Sequence, residues 1–144
     1  MRYFVLGATY VVRLDAGEKI VETLQDLCRR DGIGGGHFQG LGAVERAEIG
    51  HYDPAGRAYD WTVLAGPQEI VSLCGNITTL EGKPFVHAHI ALGDGAFAVR
   101  GGHLKEAVVS ATCEITLVRF RDDIGRIRDA ASGATRLALE PTGD

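Results

Sequence analysis

Three histidines carry the sharpest chemical signal in the chain. His87 and His89 are separated by one residue, and His103 follows Gly101-Gly102. Residues i and i+2 of a strand project to the same face, so the imidazoles of a His-Ala-His run can share one metal ion. Whether His103 joins them depends on hairpin register. A three-residue tip at Gly93 to Gly95 sets Gly101 opposite His87 and leaves His103 diagonally beside it. A five-residue tip sets His103 directly opposite His87. A four-residue tip sends His103 to the other face unless a bulge at Gly101-Gly102 restores it. Most simple registers therefore gather three imidazoles. Three imidazoles with an open fourth position are the ligand set of a zinc site that can take water or substrate. Ligand type alone leaves nickel, copper or iron open. Glu69, Asp94, Glu106 and Glu114 are candidates for a general base or for an acceptor of an imidazole N–H; each also reads as a solvated residue. His37 and His51 lack such partners and read as structural or solvated. No Ser-His-Asp or Cys-His order stands out and Gly-x-Ser-x-Gly is absent, which sets nucleophilic catalysis aside.

These residues need a sheet to position them, and the pattern supplies one. A strand is expected over Tyr3 to Leu14, ending at Asp15-Ala16-Gly17. Glu18 to Arg30 is the one convincing helix, with Ile20, Val21, Leu24, Leu27 and Cys28 on a single stripe. Asp15 and Glu18 have capping-box spacing, and Gly32 can end the helix in a left-handed conformation. Strands follow over His37 to Tyr52, Tyr59 to Leu64, Glu69 to Thr79, Phe85 to Leu92, Phe97 to Leu104 and Val108 to Phe120. Asp53-Pro54-Ala55-Gly56, Gly66-Pro67, Glu81-Gly82 and Gly93-Asp94-Gly95 read as turns. Odd positions of the last long strand, from Val109 to Leu117, are small or apolar and its even positions are largely polar. The charged tail from Arg121 returns to an edge strand at Leu137-Ala138-Leu139. The expectation is a single α+β domain over residues 1–144, with a core at about 2–121 and a tail at 122–144. Its sheet is largely antiparallel, of about seven to eight strands with one main helix. Gly34 to Gly42 lacks the strand-then-helix order of a phosphate-binding loop.

Composition narrows the classes. The 144 residues are 45% hydrophobic and 24% charged, a globular balance. No apolar run is long enough to span a membrane, and Met1 to Gly17 reads as mature sequence rather than a secretory signal. The net charge of −4 argues against a chain that holds nucleic acid by a basic field. The cysteines, Cys28, Cys74 and Cys113, are odd in number and lack Cys-x-x-Cys. They read as buried reduced thiols and point to a cytoplasmic protein. The 20 glycines are not periodic; they punctuate short apolar segments.

An ordered set of motifs resembles the PPC (plants-and-prokaryotes-conserved) domain. It comprises Arg13-Leu14-Asp15-Ala16-Gly17-Glu18, Gly40-Leu41-Gly42-Ala43, Gly66-Pro67 with Glu69 to Asn76, Pro84-Phe85-Val86-His87-Ala88-His89 and Gly101-Gly102-His103-Leu104. The resemblance covers roughly residues 2–140. It implies an α+β domain that assembles as a homotrimer, with a metal, often zinc, at His87, His89 and His103. Its prokaryotic members typically stand alone; plant members carry an AT-hook that enters DNA, and no Arg-Gly-Arg-Pro core is present here. The leading expectation is a homotrimer with a three-histidine metal site, binding a small-molecule ligand or assisting a reaction. A DNA-binding protein, and an interaction module without metal, are the alternatives.

Overall fold

The computed structural model describes residues 1–130 and 132–139. Its elements run β1 (Arg2–Leu6), β2 (Thr9–Asp15), α1 (Ile20–Asp31), β3 (Gly36–Asp53), β4 (Ala58–Leu80), β5 (Lys83–Gly93), β6 (Val99–Arg119), β7 (Arg126–Arg128) and β8 (Thr135–Leu137). The mostly antiparallel sheet and one helix match an α+β class. The eight strands fall into two sheets rather than one: six in the main sheet, in the order β1-β2-β6-β3-β4-β5, and the pair β7-β8. β6 also pairs with β5, so β3, β4, β5 and β6 close on themselves.

Local chemistry explains where the elements depart from the pattern reading. The segment Tyr3 to Leu14 is two strands, because Gly7 takes a left-handed turn (φ 62°) and folds β1 back on β2. Gly66-Pro67 does not turn the chain. It lies inside β4, where the ladder to β3 slips between Val44 and Arg46, and the irregularity accommodates a proline that cannot donate a ladder N–H. Likewise the two segments expected from Phe97 to Phe120 are one long strand, β6, with Phe97 left in the tip. Its two-residue period holds, with Val109, Cys113, Ile115 and Leu117 buried. Ala111 is the exception: four steps of β6, Val109 to Cys113, face only two steps of β3, Val44 to Gly42, and the surplus turns Ala111 outward.

The helix buries Ile20, Leu24, Leu27 and Cys28 and ends at Gly32 (φ 62°), whose N–H bonds to the Cys28 carbonyl. It starts later than its spacing suggests. Glu18 accepts the Asp15 N–H at 2.7 Å and also meets the terminal amino group of Met1, so it belongs to the preceding turn. The first helical N–H groups go instead to Glu106 on β6, whose two carboxylate oxygens accept from Val21 at 2.8 Å and Glu22 at 3.0 Å. This is a cap supplied from 84 residues away.

The tail is built into the fold. Phe120 and Ile124 donate to the carbonyls of Gly35 and Gly34, and Thr79 donates to Ile124. A Cβ on Gly34 or Gly35 would overlap Asp123 or the Asp122 carbonyl, so these glycines admit the tail. β8 pairs with β7, not with the main sheet, and ends at Leu137; the expected edge strand at Leu137 to Leu139 is therefore shifted and relocated.

Candidate metal centre

Along β5, Val86, Ala88, Ile90 and Leu92 are buried, and the alternate residues His87 and His89 point to the other face. Pairing then carries His89 into contact range of its neighbours. Directly opposed residues share a face, and His89 stands opposite His103 on β6 and opposite Cys74 on β4. His87 stands opposite Asn76. The register thus joins His103 to His89 rather than to His87, because Gly93 pairs with Val99 and the tip occupies Asp94 to Ala98. The three rings still converge, since the displacement is even and preserves the face. Ring centroids lie 5.5 Å (His87–His89), 4.9 Å (His87–His103) and 5.4 Å (His89–His103) apart. One ring nitrogen from each falls within 4.8 Å of the others. A tetrahedral ion with bonds near 2 Å wants these nitrogens about 3.4 Å apart, a closure that side-chain rotation can provide.

The electrostatics suit a metal ligand set. Burial, then the Arg126 guanidinium and the other two imidazoles, push His87 down to about 4. Burial, His89 and Arg126 lower His103. Both rings are therefore neutral near pH 7, the protonation state in which an imidazole ligates metal. His103 Nδ1 is buried and finds no hydrogen-bond partner among the described residues. A buried, unsatisfied ring nitrogen on one of three clustered imidazoles fits a metal ion.

Residues that the sequence pattern did not single out surround the cluster. Tyr59 lies 4.9 Å from the His103 ring and Trp61 5.9 Å. Trp61 reaches it by leaning over Gly50, where any Cβ would strike the indole at 2.6 Å. Arg126, only 7% exposed, donates from Nε to Thr78 Oγ1 (2.9 Å) and from its two terminal nitrogens to the Thr135 carbonyl (3.2 Å), Asn76 Oδ1 (2.9 Å) and His87 Nδ1 (2.8 Å). Asn76 was visible as part of a motif, but Arg126 looked like one charge among several in a polar tail.

The carboxylates considered as bases are placed elsewhere. Glu106 caps the helix, and Asp94 accepts the N–H groups of Ala96 and Ala98 in the hairpin tip. Glu69 and Glu114 are exposed, opposite Gly93 and Arg13 respectively. The cluster is one of imidazoles alone. His37 packs on Phe120 and His51 is exposed, outside the cluster. Cys28 and Cys113 are buried thiols pushed up to about 12 by burial. Cys74, expected to be buried as well, is exposed, because its register puts it on the outer face beside His89.

A closed antiparallel sheet with one helix and a three-imidazole cluster on its outer face defines the class of protein. The Plants and Prokaryotes Conserved (PCC) domain matches residues 1–121, and the chain belongs to that family. Solved structures resemble it closely. A metal-containing protein from Archaeoglobus fulgidus is 36% identical, with a TM-score of 0.86 over 95% of this chain and 96% of that one. A plant- and prokaryote-conserved protein from Pyrococcus horikoshii is 32% identical, with a TM-score of 0.85 over 96% of both chains. A protein of Ralstonia eutropha JMP134 proposed to bind DNA is 31% identical, with a TM-score of 0.90 over 96% of both chains. No curated protein matches the chain significantly. Among the described residues no helix is long and apolar enough to cross a membrane.

Proposed function

We propose that His87, His89 and His103 hold one transition-metal ion of the zinc type, with a coordination position left for a small ligand. The convergence of three imidazoles, with a buried and unpartnered Nδ1 on His103, carries this reading. The metal-containing relative from Archaeoglobus fulgidus supports it. Such an ion would act as a Lewis acid and lower the pKa of bound water to about 7. The residues of this chain contribute three imidazoles, an aromatic wall at Tyr59 and Trp61, and a cation at Arg126. Metal analysis of protein purified without a polyhistidine tag tests the reading. About one equivalent per chain is expected, falling to none in His89→Ala; a metal-free wild type would overturn it.

The same reading includes self-association as a homotrimer. Pairing lines up Phe4, Val11, Thr116, Gln39, Cys74, His89 and His103 in one row across the outer face. Beside this row Leu41, Val71, Phe97 and Val99 are exposed, and a groove of about 550 Å³ runs over Ala43, Val71 and Phe97. An apolar face of this kind favours burial against copies of the chain. Sedimentation equilibrium checks the mass.

The resemblance to the Ralstonia protein supports a second reading, DNA binding. It requires a mobility shift that weakens steeply with salt. The absence of a shift at about 50 mM salt would remove it.

A further inference from the structure

The hydrogen bonds of Arg126 identify the class of ligand, and the argument rests on the metal reading above. Arg126 arrives on β7, beyond the residues that match the family domain, and is nearly buried. All its acceptors are neutral: a hydroxyl, a carbonyl, an amide and an imidazole. No carboxylate pairs with it among the described residues. Burying a guanidinium without a counter-charge is costly, so its neighbourhood is prepared for an anion.

Four of the five N–H groups of the guanidinium are engaged. The Nη2 group has two hydrogens. One is used by Asn76 Oδ1 and the other by His87 Nδ1. Guanidinium only donates, so His87 Nδ1 must be accepting. A neutral His87 that ligates a metal through Nε2 carries its proton on Nδ1; one that ligates through Nδ1 has spent that lone pair on the metal. Either way the acceptor disappears when the metal binds. The guanidinium stays where it is, held by Thr78, Thr135 and Asn76. It is left with two N–H groups, one on each terminal nitrogen, that have no acceptor among the described residues.

We propose that the metal-loaded site takes a small carboxylate, with one oxygen on the metal and the other accepting an N–H of Arg126. A carboxylate fits better than a tetrahedral oxyanion. The Tyr59 ring beside His103 and the Phe85 ring under Arg126 offer apolar surface to an organic acid. Binding of metal and of carboxylate is then mutually reinforcing, because the metal removes an acceptor from Arg126 and leaves the guanidinium with more donors to satisfy.

The test uses the full chain loaded with Co²⁺, whose visible bands report a change of ligand, titrated with acetate. Acetate should shift the bands of the wild type, and Arg126→Gln should weaken acetate binding about tenfold or more while keeping Co²⁺ stoichiometry. Thr78→Val keeps the charge but loosens its anchor, and should fall between the two. Its conservative shape covers the case in which Arg126→Gln disturbs the tail. Equal acetate affinity in wild type and both variants, or bands that respond to phosphate and not to acetate, would overturn the carboxylate assignment and leave the metal site standing. A wild type that takes up no Co²⁺ would overturn both.

Discussion

Strand β5 has two faces with different duties. Val86, Ala88, Ile90 and Leu92 point inward and are almost wholly buried, whereas His87 and His89 point outward. The inner set belongs to a core that includes Leu24, Leu27, Ile77 and Ile115, all fully or nearly fully buried. The outer set meets His103, Arg126, Asn76 and Cys74. A period of two thus separates folding from chemistry within one short strand. A core of this size should hold the fold without a metal, unlike a small domain stapled by its ion.

Substitutions on the two faces should therefore fail in opposite ways. Leu92→Ala removes a fully buried side chain and should cost about 2–5 kcal/mol in denaturant unfolding. Metal stoichiometry of the fraction that remains folded should be unchanged. His87→Ala or His89→Ala should abolish metal uptake, with metal-free unfolding shifted by less than about 1 kcal/mol. A large loss of metal-free stability in His89→Ala would show that the outer face also holds the fold together.

The alternation that separates the faces is also what made the cluster legible. A His-x-His run must share a face on any strand, and an even hairpin offset brings His103 to that face whichever of the two it opposes. The helix stripe was readable from its own period of about 3.6, whereas strand boundaries were not: one expected strand is two, and two expected pairs are one strand each. Long-range partners were not. Glu106 looks like any strand carboxylate until the helix start is seen above it, and Arg126 lies in a three-residue strand within a charged tail. Gly34 and Gly35 hint at a close approach without naming what approaches. Strand continuity through Gly66-Pro67 and through Lys105 was hidden because local turn signals were overridden by pairing with β3 on one side.

Glu106 sharpens the comparison at an intermediate scale. As a cap, its loss in Glu106→Ala frees the N–H groups of Val21 and Glu22 and that of Ala107, and should cost about 1–2 kcal/mol. Metal uptake and acetate response should not change. If thermal unfolding were unaffected while the metal site failed, the carboxylate would belong to the chemistry and not to the helix.

The smallest expected effect is one of pH. His87 in the metal-free fold titrates at about 4, well below an ordinary imidazole near 6.5. Between those values the unfolded chain holds a proton on this residue that the folded chain lacks. Stability therefore rises with pH across the window and levels off above it; acidification from about 6.5 toward 4 withdraws the contribution. His103, lowered in the same direction, adds to the slope. Half-exposed rings are well screened, so the gain should be modest. Urea unfolding of metal-free protein at several pH values should show a shallower acid limb in His87→Gln than in wild type. Parallel limbs would mean that the outward face of β5 titrates freely, and that neither burial nor Arg126 holds His87 in the neutral form that a metal needs.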